Sequence, residues 1–165
     1  MFFDFLFPKK RGKKITVPAT INPSKVACRT VTRKEVKQAV QEFLDDGGFT
    51  FGDHAVSSAF DANYIAYRKA DIVSMYESFP SMYGHKDALT AIGFPRPEDG
   101  ADCDNIAEHN SYWFHRLMPS SAVISISGWH STGGHRWCGV VTTMLDIVWF
   151  GGTPSRYDTI KHIDY

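Results

Sequence analysis

Gly100-Ala101-Asp102-Cys103-Asp104-Asn105-Ile106-Ala107 delivers a cysteine into the first turn of a helix. Asp102 is placed to cap it, the apolar positions Ile106, Ala107, Trp113, Phe114 and Leu117 recur near helical spacing, and Pro119 stops the run. Unpaired backbone N–H groups and the positive end of the helix dipole favour thiolate over thiol there, which makes Cys103 a candidate nucleophile. The adjacent carboxylates of Asp102 and Asp104 act against that shift, so the thiol needs a base. The competing role for Cys103 is that of a small buried residue.

Downstream of this helix the apolar period changes from 3.6 to 2. Ala122 to Ser127 alternates as a half-buried strand, a Gly, Ser and Thr-rich loop covers Gly128 to Gly134, and further strands are expected over His135 to Val141, Leu145 to Phe150 and Thr159 to Tyr165. His135 follows two glycines that leave its backbone free to approach a neighbour, and it is the candidate base for Cys103. On its strand His135, Trp137 and Gly139 share one face, and Arg136, Cys138 and Val140 the other. That alternation bears on the rival reading of His130, His135, Cys138 and Cys103 as zinc ligands, because on a regular strand His135 and Cys138 could not converge without a bulge and the spacing matches no strong zinc pattern. No metal and no cofactor is expected.

A third catalytic group is less determined. With a turn over Thr142 to Met144, Asp146 lies five residues along the ladder from His135, on the order of 16 Å at about 3.3 Å per residue, which disfavours it. Thr153, Asp158, or no third group at all are the alternatives.

Upstream, Pro18 and Pro23 keep Lys14 to Cys28 irregular. Thr32 and Glu35 have capping-box spacing, Val31 and Val36 can form a hydrophobic staple, and Val36, Val40, Phe43 and Leu44 make one apolar stripe that ends at Asp45-Asp46-Gly47-Gly48. Phe49 to Ala66 has a mixed pattern in which Gly52, Asp53 and Asn63 suggest turns, Lys69 to Phe79 reads as a second helix, and Ser81 to Gly100 as a short helical piece followed by a loop. Helices followed by consecutive antiparallel strands predict the α+β class, with N-terminal helices packed on one side of a small C-terminal antiparallel sheet. The expected organisation is an apolar and basic arm over residues 1–30 and a single domain over 31–165.

Composition narrows the function. The chain has 165 residues, 43% of them apolar, and eighteen basic residues cancel eighteen acidic ones, so no global field points to nucleic acid. Charge is local instead: Met1 to Phe7 is apolar and Lys9, Lys10, Arg11, Lys13 and Lys14 follow it. That order is reversed for a secretory signal, and seven residues are too few to cross a bilayer. The arm either folds back onto the core or offers a docking peptide to a protein partner. Three cysteines, Cys28, Cys103 and Cys138, form no even-numbered framework, which fits a reducing, cytoplasmic compartment.

The Asp102-Cys103-Asp104-Asn105-Ile106-Ala107 helix start and the Gly134-His135-Arg136-Trp137 strand start resemble those of the transglutaminase-like and papain-like cysteine peptidase superfamily, in its small phage and bacterial members. The resemblance spans roughly Asp61 to Tyr165, with Ile106 and Arg136 as departures. It implies a papain/transglutaminase-like core, with Cys103 attacking a carbonyl to form a thioester and His135 shuttling the proton. The substrate implied is an amide or isopeptide bond in a peptide, a protein or a cell-wall peptide. Where the superfamily places its acid, this chain has Phe150-Gly151-Gly152-Thr153-Pro154. The alternative is accordingly a catalytically inactive member of that fold acting as a binding or virion-associated protein.

Overall fold

The computed structural model describes residues 16–47, 49–58, 61–80, 103–131, 133–154 and 158–165. The apolar and basic head, the Asp102 cap and the helical piece expected near Lys86 lie outside them. A short 3-10 turn over Pro23–Lys25 leads into β1 (Cys28–Thr32), α1 (Arg33–Gly47), β2 (Thr50–Ser58), β3 (Asn63–Tyr67) and α2 (Lys69–Glu77). Then come α3 (Cys103–Leu117), β4 (Val123–His130), β5 (Gly133–Val141), β6 (Ile147–Phe150) and β7 (Thr159–Asp164).

Helix α1 starts where its capping box places it. The Glu35 N–H donates to Thr32 Oγ1 at 3.2 Å, and Glu35 Oε2 accepts from the Thr32 N–H at 2.7 Å. Arg29 Nη1 donates to the other oxygen of the same carboxylate at 3.0 Å. The Thr32 backbone N–H first, then Arg29 and the Thr32 hydroxyl, hold the Glu35 carboxyl below its ordinary range. Val31 and Val36 are both buried, as a staple requires.

The main sheet has five strands in the order β2-β7-β4-β5-β6, and β1 pairs with β3 in a separate two-stranded sheet. Strands β7, β4, β5 and β6 are antiparallel neighbours, whereas β2 lies parallel to β7. Alternation along the strands builds two cores. Ile124, Ile126, Trp137, Val141 and Ile160 face α1 through Val36, Val40 and Leu44. Val123, Cys138, Val140 and Phe150 face Ala107, Phe114 and Met118 of the α3 segment and Ile72 of α2.

Several expectations are thereby corrected. The sheet is not a C-terminal block with helices on one side, because β2 enters it from the first half of the chain and helices cover both faces. Phe49 to Ala66, whose mixed pattern suggests turns at Gly52, Asp53 and Asn63, holds β2 and most of β3, which pair with distant partners that no local pattern announces. The expected loop from Gly128 to Gly134 is a tight hairpin, with Trp129 opposite Gly134 and His130 opposite Gly133. The following turn is also wider than expected: Val141 faces Ile147, not Leu145.

Candidate functional site

The two sequence-derived site residues meet the same end of the sheet. One rung there runs Thr159, Trp129, Gly134 across β7, β4 and β5. Cys103, half-buried in the first turn of α3, directs its Sγ to the Gly134 carbonyl oxygen at 3.8 Å. The thiol therefore meets β5 at the residue directly before His135. Pairing of β5 with β6 begins only at Cys138 opposite Phe150, so this part of β5 has no β6 neighbour. His135 shares its face with Trp137, their ring centroids 4.6 Å apart, on the α1 side of the sheet, while α3 packs on the other.

Of the groups weighed for a third role, Asp146 is placed away from this rung. Asp146 sits in the β5–β6 turn, where its Oδ1 accepts from the Thr142 hydroxyl, and Thr153 is exposed beyond β6. Asp158 is buried at 1% exposure, immediately before the Thr159 that pairs with Trp129. Cys138 is fully buried against the α3 side, and burial pushes its thiol up to about 12. Strand alternation separates it from His135, and among the described residues no group of three His, Cys, Asp or Glu side chains could hold a metal.

What the sequence reading did not pick out is the polar surface beside the thiol. Trp129 is 55% exposed although it sits inside a paired strand, and Lys161 Nζ lies 5.9 Å from its ring centroid. Strand pairing on both sides of β4 fixes the position from which the indole projects. Arg136, on the α3 side of β5, ties the surroundings together. It donates to Ser125 Oγ and Glu108 Oε1, both at 3.0 Å, and its Nη2 lies 3.6 Å from Asp164 Oδ2. His162 Nε2 is 2.7 Å from Asp164 Oδ1. The signal in the sequence was a lone tryptophan within a Ser, Gly, His and Thr stretch, where no neighbouring apolar residue offers a core to fill.

Glycine is required within this rung. A Cβ at Gly128 would stand 2.0 Å from the Thr159 carbonyl oxygen, so only glycine lets β4 and β7 close beside Trp129. A groove of about 190 Å³ lined by Pro18, Ile21, Asp71 and Met75 lies beside α2, toward the C-terminal end of α3, where Ile21 N–H donates to the Leu117 carbonyl. Its one carboxylate is held by Arg68 at 2.9 Å.

No family model and no curated protein matches the chain. Among solved structures it is similar to PSL1a in its complex with E64, with a TM-score of 0.53 at 15% identity over 82% of this chain and 51% of that one. It is also similar to Polyporus squamosus lectin bound to a human-type influenza-binding epitope, with a TM-score of 0.49 at 16% identity over 82% of this chain and 49% of that one. The chain thus spans about half the length of these structures, and the likeness to PSL1a is one of fold.

These findings correct the family expectation. The two solved structures described above carry the names PSL1a and Polyporus squamosus lectin, and no family model or curated protein supports a transglutaminase-like or papain-like assignment. The resemblance rested on two short motifs, whereas the fold likeness covers 82% of the chain. The papain/transglutaminase-like core, the thiol-dependent hydrolase or acyl transferase with its peptide or cell-wall substrate, and the inactive phage or bacterial variant of that fold are withdrawn with it. No helix of the described residues is long and apolar enough to cross a membrane.

Proposed function

We propose that the chain is a carbohydrate-binding domain whose recognition surface is the Thr159–Trp129–Gly134 end of the sheet. The observation that carries this reading is the 55% exposed indole of Trp129, projecting from a strand paired on both sides. The negative face of an indole attracts the polarised C–H groups on one side of a sugar ring, and a projecting position fixed in advance spares the ordering cost of binding. Sugar hydroxyls then need planar and charged hydrogen-bonding groups nearby, which Arg136, Glu108, Asp164 and His162 supply on the same face. The balanced net charge argues against nucleic acid as the stacking partner.

At the rim of this surface we propose Cys103 as a nucleophilic thiol with His135 as its base, a pairing independent of any particular bond acted on. The thiol reaches β5 at 3.8 Å from the carbonyl oxygen of the residue preceding His135, and the pairing requires the imidazole, which shares the face of Trp137, to turn round the start of β5 where no β6 neighbour stands. Three free cysteines support a reducing compartment for the chain.

The test is a titration of the full chain with a panel of neutral and acidic oligosaccharides, followed by NMR of the tryptophan indole N–H signals, with Trp129→Ala alongside. Saturable binding that shifts the Trp129 signal and is lost in Trp129→Ala supports the reading. E64, the compound named with PSL1a, is the first probe for the thiol, and its binding is expected to be lost in Cys103→Ala when followed by native mass spectrometry.

A further inference from the structure

We infer that the sugar taken by this surface is acidic, its carboxylate bound by Lys161. The inference rests on the carbohydrate reading above and follows from how charge is distributed around Trp129. Arg136 is committed, with Glu108 at 3.0 Å and Asp164 at 3.6 Å, and Asp164 also engages His162 at 2.7 Å. Arg136 is thus shared between two carboxylates, and the network holds no arginine charge in reserve for an anionic ligand.

Lys161 differs. Among the described residues its ammonium has no carboxylate partner, and its contact is the face of Trp129 at 5.9 Å from the centroid. That distance is near the outer limit of about 6 Å for a cation and an aromatic face, so the contact is a weak one and the ammonium keeps hydrogen-bonding capacity. The indole meanwhile remains 55% exposed, leaving surface for a sugar ring beside the lysine. A pyranose stacked on the exposed part of the indole brings an equatorial carboxylate within reach of a lysine side chain whose ammonium lies 5.9 Å from the ring centroid. A neutral sugar would leave the cation unused.

The experiment titrates the full chain with a glucuronic-acid-containing oligosaccharide and with its carboxyl-reduced, neutral counterpart, at low and high salt. Wild type, Lys161→Gln, Lys161→Arg and Trp129→Ala are compared, with circular dichroism confirming that each is folded. The acidic ligand is expected to bind about two- to fivefold more tightly than the neutral one, as for a solvent-exposed ion pair. Lys161→Gln and added salt each erase that preference without abolishing binding, and Lys161→Arg retains it. Equal affinities for the two ligands in wild type, or a preference that survives Lys161→Gln, overturns the role of Lys161 and leaves the carbohydrate reading standing. Binding of neither ligand overturns both.

Discussion

The Cys103 sulfur lies 3.8 Å from the carbonyl oxygen of Gly134, so a residue of the first turn of α3 touches the strand that carries His135 one position before the imidazole. Thirty-one residues of chain separate the two, and the α3 side of the sheet brings them together. The three thiols are therefore expected to differ sharply toward iodoacetamide. Cys138, buried and pushed up to about 12, does not react in the folded protein. Cys28, whose Sγ donates to the Pro23 carbonyl at 3.3 Å, reacts slowly. Cys103 reacts first, and His135→Ala slows it at least about tenfold at neutral pH, the lower end of what a positioned base supplies. Peptide mass spectrometry after timed quenching reads all three, and equal rates for Cys103 and Cys28 would remove the proposed pairing.

Replacement of Gly128 tests the rung on which Trp129 sits. Its Cβ would stand 2.0 Å from a backbone oxygen, and Thr159 cannot move without parting β7 from β4. Gly128→Ala is expected to cost about 2–4 kcal/mol in urea unfolding, in the range of severe overpacking. Gly134→Ala is the control, since its Cβ would find only the Trp129 ring at 4.0 Å, and it stays within about 1 kcal/mol of wild type.

Arg136 joins α3 to β4 and β7 through Glu108, Ser125 and Asp164. Its side chain is 27% exposed, so the pairing is only partly screened by water. Arg136→Met is expected to lower stability by about 1–2 kcal/mol, and a double-mutant cycle with Glu108→Gln should recover part of that loss as coupling.

The α1 capping box predicts an acid limb in the stability profile. Glu35 is held below the ordinary glutamate range, chiefly by the Thr32 backbone N–H. A carboxyl depressed in the folded state contributes stability that is complete above its unfolded value and fades as pH falls through its folded value. The difference in Tm between wild type and Glu35→Gln is thus expected to be constant from neutral pH down to about 5, then to shrink steadily toward pH 3. A difference unchanged across that range would contradict the assignment.

Much of the fold was legible where local physics decides it. Thr32 and Glu35 announced α1, the stripe from Ile106 to Leu117 announced α3, and the alternation through His135 to Val141 announced β5 with its two faces. Strand β2 was not legible, because its place beside β7 depends on a parallel pairing more than a hundred residues away in sequence, and Gly52 and Asp53 inside it read as turn residues. The packing of helices on both faces escaped for the same reason: a helix's apolar stripe says that it must be covered, not by which side of a sheet. At the site, Cys103 and His135 stood out through their chemistry and flanking residues. Trp129 could line a cleft but was not distinguishable from Trp113, Trp137 and Trp149, and Lys161 gave no signal, since an exposed indole differs from a core indole only in what the folded chain places over it.

The central claim is that Trp129 is a recognition surface, and indole N–H NMR during an oligosaccharide titration addresses it directly. The account predicts that the Trp129 signal moves saturably while those of buried Trp113 and Trp137 stay still, and that Trp129→Ala keeps the fold but loses the binding. Oligosaccharide binding that proceeds unchanged in Trp129→Ala, or no response of the Trp129 signal to any member of the panel, would contradict it.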